Sequence, residues 1–154
     1  MDVKDRKPVE TVQLTRLVNA PRERVWQAWA DPQQFVQWFA PKPFQLIIRK
    51  LDFRVGGKFD MAMRGPDGSD FPFTGTYREI TPPAKIYWSG EFPGGPQDQI
   101  STVVTFQEQG GKTKLTDKSV YQSVEDRDGM LESGMESGAA ETMDRLEELL
   151  ALTS

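Results

Sequence analysis

Few side chains in this 154-residue chain can do acid-base or nucleophilic chemistry, because it contains neither histidine nor cysteine. Without imidazole or thiolate there is no Ser-His-Asp triad, no histidine general base and no metal site built on sulfur or imidazole. Carboxylates, lysines and tyrosines remain for proton transfer. The composition therefore favours a binding protein over a catalyst, and we expect no metal and no cofactor.

Asp117 is the acidic side chain that fits its surroundings least well. It lies in a predicted strand, 112–121, where Lys114 and Lys118 point outwards, so alternation turns Asp117 towards the interior. Burying an unpaired carboxylate costs several kcal/mol. Asp117 must therefore be paired or protonated, serve as a polar anchor for a ligand, or be turned outwards by a local bulge.

Aromatic and methionine side chains share the inward parity of several predicted strands. Such a set predicts either an apolar ligand cavity or a filled core, and flexible methionine favours the cavity. Gly134 and Gly138 are one helical turn apart, which opens room for a ligand or allows close backbone packing; a helix break at Gly129 is the other alternative. The candidate ligand-binding residues are Trp38, Phe59, Met61, Met63, Phe73, Tyr77, Trp88, Val104, Phe106, Asp117, Met135, Gly138 and Thr142.

The elements that must position these side chains follow from the turn residues. A first strand is predicted over 11–18. Pro21 and the capping residue Asp31 then predict the starts of two short helices, and Pro41 and Pro43 end this helical segment. Alternating segments separated by glycine and proline then predict an antiparallel meander. Its six strands are predicted at 44–54, 57–64, 71–80, 85–92, 99–108 and 112–121.

A last helix is predicted from Ser123 to about Leu150, with one broad apolar stripe and a carboxylate-rich solvated face that includes Glu147. The stripe needs an apolar surface of similar size, and the inner face of a bent sheet supplies it. We therefore predict an α+β helix-grip fold: about seven antiparallel strands, two short helices after strand 1, and a long C-terminal helix across the concave face. Residues 1–9 are expected to be a disordered tail and 10–151 a single domain.

Six short strings in the chain occur in an order that is typical of one family. Together they resemble the heat-shock-protein-90 ATPase activator homologue family, over roughly residues 10 to 151. The resemblance implies a START-like fold within the Bet v 1-like (SRPBCC) superfamily. The strings lie at 20–32 (APRERVWQAWADP), 38–41 (WFAP), 53–59 (FRVGGKF), 75–83 (GTYREITPP), 134–138 (GMESG) and 144–146 (DRL).

The resemblance also carries expectations about function and about Asp117. The family's eukaryotic co-chaperones have a further N-terminal domain associated with ATPase stimulation, and we expect no counterpart of it here. Stand-alone chains of this kind are mostly bacterial, with ligand or lipid binding inferred from the fold. Because first and last strands are neighbours in a START-like fold, Arg16, which has inward parity, is the expected partner of Asp117 in a buried ion pair.

Charge and hydropathy exclude some classes of binding partner. The chain has 19 basic and 23 acidic residues, a net charge of −4 and a pI near 5.0, which argues against nucleic-acid binding. No stretch resembles a membrane span or a signal peptide, so we expect a cytoplasmic protein, monomeric or weakly dimeric.

The sequence therefore predicts a protein that binds a small hydrophobic molecule between the sheet and the C-terminal helix. The alternatives are a protein-interaction module with a chaperone or regulator as its partner, and an enzyme acting on a cyclic or carbonyl-bearing ligand. In that third case Tyr77, Tyr87 or Tyr121 would donate the hydrogen bond or the proton.

Overall fold

Seven antiparallel strands form one open, curved sheet in the order β1-β7-β6-β5-β4-β3-β2. The computed structural model describes residues 11–91, 100–121, 125, 128 and 135–152. The strands are β1 Thr11–Val18, β2 Gln45–Leu51, β3 Lys58–Arg64, β4 Asp70–Thr81, β5 Lys85–Glu91, β6 Ile100–Gln109 and β7 Lys112–Tyr121; the helices are α1 Arg22–Ala30, α2 Pro32–Trp38 and α3 Met135–Leu152.

The meander follows from local turn chemistry. Gly110 and Gly111, both with positive φ (59° and 81°), join β6 to β7 in a two-residue hairpin loop, where glycine adopts left-handed backbone without steric cost. Strand β1 pairs with β7, placing Leu14 opposite Asp117 and Arg16 opposite Leu115. The predicted strands and the helix-grip fold are confirmed, with strand ends within about three residues of those predicted.

The short helices also begin where expected. The carboxylate of Asp31 accepts a hydrogen bond of 3.0 Å from the Gln33 backbone N–H and so caps α2, and α1 begins at Arg22, directly after Pro21. Glu125 and Asp128 are helical, but most of the predicted helix start at 123–134, with Gly129 and Gly134, lies outside the described residues. The predicted tail at 1–9 lies outside them too.

Helix α3 packs against α1, α2 and β1, and its buried residues Leu146, Leu149 and Leu150 join the core. Arg145 fastens the helix at this end. Its guanidinium donates to the carbonyl oxygens of Gln37, Ala40 and Phe44 at 3.1, 2.6 and 3.0 Å. One side chain thus holds the end of α2 and the connection into β2 against α3.

We predict that Arg145→Met lowers the free energy of unfolding by about 2–4 kcal/mol, because it leaves backbone carbonyls without their charged donor. Arg145→Lys should recover less than half of the loss, since an ammonium cannot reproduce the planar fork that reaches all three oxygens. Urea denaturation measures both. Arg54→Met, at an exposed ion pair with Asp52, is the control and should change stability by less than about 0.5 kcal/mol. Equal effects at Arg145 and Arg54 would contradict the fastening role.

Candidate functional site

A cavity of about 520 Å³, partly open to solvent, lies on the concave face of the sheet. Four of the predicted ligand-binding residues, Phe59, Met63, Phe73 and Trp88, line it because alternation turns them all to one side of β3, β4 and β5. The hydroxyl groups of Thr102, Ser119 and Tyr121 give it a polar side. Among the described residues, Phe39, Phe71, Pro72, Thr74, Gly90 and Ile100 also line it.

Two glycines on the inner face shape this cavity. A Cβ at Gly75 would lie 2.3 Å from the Phe59 ring and 2.5 Å from the Ser89 carbonyl oxygen. Only glycine at this position of β4 therefore lets the Phe59 ring pack directly against the strand. A Cβ at Gly90 would meet only the Thr74 carbonyl oxygen, at 3.5 Å, an ordinary contact distance. Gly90 therefore leaves space in the cavity that a larger side chain could occupy without backbone strain.

A gap of about 30 Å³ lies beside the large cavity and deeper in the aromatic core. Met61 and Tyr77, two more predicted ligand-binding residues, line it together with Trp29 and Phe53. The gap is close to the size of one water molecule, so it is too small to hold a ligand and forms only the innermost part of the site. Burial raises the pKa of Tyr77 above its usual range, so its phenol stays protonated at neutral pH.

A separate cavity of about 220 Å³ lies between α3 and the edge of the sheet formed by β1 and β7. Asp117 and Arg16 both line it, and Trp29 lies between it and the small gap. In the part of the chain that the structure describes, Leu14, Thr15, Leu115, Ala139, Ala140 and Met143 line it as well.

The predicted Arg16–Asp117 ion pair is wrong. One terminal nitrogen of Arg16 (Nη2) lies 2.6 Å from Asp144 Oδ1 and 2.6 Å from Glu147 Oε2. The other (Nη1) donates to the Ala140 carbonyl oxygen at 3.2 Å. Arg16 does point inwards as predicted, but α3 crosses above β1 and brings two carboxylates closer than Asp117. Glu147 is consequently part of an ion-pair cluster and not of a solvated face.

Asp117 is left with hydroxyl groups and apolar neighbours. Its Oδ1 accepts a hydrogen bond of 3.3 Å from Ser119, whose hydroxyl oxygen lies 3.0 Å from that of Thr102. Its partners across the strands are Leu14 and Val104. Burial in these surroundings raises the pKa of Asp117 to about 6. Burial, together with the negative charge of Asp117, also raises the pKa of Tyr121 to about 12.

Trp29 is a site residue that the sequence interpretation missed. It is 4% exposed, and among the described residues its indole N–H has no hydrogen-bond acceptor. The helical spacing of Trp29 marked it only as a core residue. Thr102 and Gly90, which line the large cavity, share the inward parity of Val104 and Trp88, so strand alternation could have identified them.

Several predicted ligand-binding residues lie elsewhere. Trp38, Val104 and Phe106 are at most 2% exposed and belong to the filled core; the Trp38 indole donates to the Ala28 carbonyl oxygen. A Cβ at Gly138 would lie 3.6 Å from the Pro41 side chain, an ordinary contact distance, so this glycine faces Pro41 and lines none of the cavities described above. The Thr142 hydroxyl bonds to the Gly138 carbonyl oxygen at 2.8 Å, within α3. The side chain of Met135 lies outside the described residues.

Within the described part of the chain, histidine, cysteine and carboxylate side chains nowhere form a group of three that could hold a metal ion. The helices described there are also too short or too polar to span a membrane.

Comparison with known proteins identifies the fold and the family. The sequence profile described as "Activator of Hsp90 ATPase homolog 1-like protein" matches residues 19–151. The chain belongs to this family. Its fold is that of the START-like and Bet v 1-like proteins, as the resemblance implied. No curated protein matched the chain.

Solved structures of similar proteins come from several bacteria. A Mycobacterium smegmatis protein is 28% identical, with a TM-score of 0.86 over 100% of this chain and 99% of its own. A Nitrosomonas europaea protein is 27% identical, with a TM-score of 0.83 over 99% and 98% of the two chains. An Arthrobacter aurescens protein is 26% identical, with a TM-score of 0.85 over 96% and 90%.

In this member of the Hsp90 ATPase activator homolog 1-like family, the string 53–59 forms the turn from β2 to β3. The Gly56 N–H donates to the Tyr77 carbonyl oxygen at 2.7 Å, and the Tyr77 N–H donates to that of Gly57 at 2.9 Å. A Cβ at Gly57 would collide with the Asp52 carbonyl oxygen. The turn thereby ties β4 to the start of β3 and fixes Phe59 and Tyr77, which line the site.

The raised pKa of Asp117 predicts a pH-dependent stability. The pKa of an aspartate is about 3.9 in an unfolded chain and that of Asp117 is about 6 in the folded protein. At pH values between these two, the folded protein therefore binds one more proton than the unfolded chain. The free energy of unfolding therefore falls as the pH rises from about 4 to about 6, and stays at the lower level above that. Asp117→Asn has no carboxylate and does not lose this stability. The free energy of unfolding of the variant minus that of the wild type should therefore be about 3 kcal/mol larger at pH 7.5 than at pH 4.

Urea denaturation of both proteins at a series of pH values measures this difference. Asp60→Asn, at a half-exposed position of β3, is the control and should change stability by less than about 0.5 kcal/mol. A difference between wild type and Asp117→Asn that is the same at pH 4 and pH 7.5 would refute the account of Asp117.

Proposed function

We propose that the protein binds a small, mostly apolar molecule in the cavity of the concave face and carries out no chemistry of its own. The observation that carries the proposal is the cavity of about 520 Å³ lined by aromatic side chains and Met63. Ligand sites typically have volumes of roughly 300–1,000 Å³, with apolar walls and a few polar groups that orient the ligand. Thr102, Ser119 and Tyr121 are suitable polar groups.

Within this proposal the predicted residues take different roles. Phe59, Met63, Phe73 and Trp88 contact the ligand directly, since they line the large cavity. Met61 and Tyr77 lie behind them and support the rings. The thioether of Met63 is flexible and polarisable, so it adapts to ligands of different shape.

The two alternative functions have less support. The large exposed hydrophobic side chains of the described residues lie on different elements: Leu17 on β1, Leu152 on α3 and, among others, Phe71 on β4, which belongs to the cavity itself. An interaction module usually presents one continuous apolar patch. An enzyme would need an acid and a base that converge on one ligand, whereas Asp117 and Tyr121 line different cavities.

The uncharged fluorophore N-phenyl-1-naphthylamine tests the proposal, because its emission rises in apolar surroundings. We predict saturable binding at one site of the wild-type protein. Gly90→Leu should weaken this binding at least tenfold, since the new side chain projects into the cavity without a backbone clash. Gln107→Leu, which adds the same side chain at an exposed position of β6, should bind as the wild type does.

Thermal unfolding of the two variants shows whether both fold. Binding that does not saturate, or that is equally strong in Gly90→Leu and in the wild type, would contradict a ligand site in this cavity.

A further inference from the structure

The smaller cavity, between α3 and the β1–β7 edge, has features of a site for one particular class of ligand. Its walls are mainly apolar, from Leu14, Leu115, Ala139, Ala140 and Met143. A cavity of roughly 150 Å³ can hold benzene. At about 220 Å³, this one has room for a single ring with a short polar arm.

The ionisable groups around this cavity carry an excess of negative charge. Arg16, on β1, is held by Asp144 and Glu147 of α3, so its positive charge is already more than offset. Among the described residues, Asp117 on β7 accepts a hydrogen bond only from the Ser119 hydroxyl, and no cation pairs with it. Three carboxylates thus accompany one guanidinium.

A lone carboxylate in an apolar cavity is unfavourable unless a counter-charge enters with it. With a pKa of about 6, Asp117 is mostly ionised at neutral pH and able to pair with a cation. Trp29 forms another part of the wall and adds to its apolar surface. Charge, apolar walls and size therefore favour the same class of molecule.

Resting on the proposed ligand-binding function, we propose that this cavity binds a small ring-containing molecule with a protonated amine, whose ammonium group donates a hydrogen bond to the Asp117 carboxylate. The apolar ring occupies the space between Met143 and the leucines. Asp117 thus selects for a cation, whereas the large cavity selects for apolar surface.

A neutral polar molecule is the competing occupant. A hydroxyl group or a water molecule could donate a hydrogen bond to Asp117 and occupy the same space. A pair of probes that differ only in this group, 2-phenylethylamine and 2-phenylethanol, separates the two cases. At pH 7.5 the amine is protonated and has nearly the same shape as the alcohol.

Isothermal titration calorimetry with the full-length protein gives the affinities. The wild type should bind the amine at least tenfold more tightly than the alcohol. Asp117→Asn should lose this preference, with amine binding weakened at least tenfold and alcohol binding changed by less than about threefold. The control Asp60→Asn should keep the wild-type preference.

A second variant tests the location without touching the charge. Ala139→Leu fills the cavity from α3 and suits a helix, so it should abolish binding of both phenylethyl probes. Binding of N-phenyl-1-naphthylamine in the large cavity should persist, which also shows that the variant is folded.

Each other outcome overturns a defined part of the account. Equal affinities for amine and alcohol, or an Asp117→Asn variant that binds the amine as the wild type does, would overturn the ion-pair proposal and leave ligand binding intact. If neither phenylethyl probe binds while N-phenyl-1-naphthylamine does, the smaller cavity is not a site. If none of the three binds, the proposed function fails as well.

Discussion

The contacts of the Trp29 indole connect the parts of this fold that would otherwise stand apart. Its ring meets Trp38 at a centroid distance of 4.9 Å, Phe39 at 5.7 Å, and both Trp88 and Phe106 of the sheet at 5.9 Å. Helices of nine and seven residues are too short to be stable alone. Trp29 therefore fixes α1 and α2 on the concave face, and the same ring forms part of the wall of the small gap and of the cavity beneath α3.

Within the described residues, this arrangement leaves one end of the concave face filled and cavities at the other end. Val18, Val25 and Leu146 are fully buried in the core beneath the end of α3. Polar contacts hold that helix in place, from Arg145 to the loop after α2 and from β1 to Asp144 and Glu147. At its other end the helix presents small residues such as Ala139, and space remains there.

Strand alternation predicted much of the site, because side chains alternate across a sheet with a period of two. Phe59, Met63, Phe73 and Trp88 therefore reached the cavity as expected. Alternation cannot say where along the face the helices cover the sheet, so Val104 and Phe106 were placed at a cavity although they lie in the core. The true partners of Arg16 depend on where α3 crosses β1. The sequence of α3 does not specify that path. Nothing in the sequence indicates that the Trp29 N–H lacks a hydrogen-bond acceptor among the described residues.

The most direct test of open, chemically distinct cavities is NMR of methionine methyl groups, because Met63 lies in the large cavity and Met143 in the one beneath α3. The account predicts that N-phenyl-1-naphthylamine shifts the Met63 signal to saturation and that 2-phenylethylamine does so for Met143. Signals that do not respond to either compound, or that respond equally to both, would contradict it.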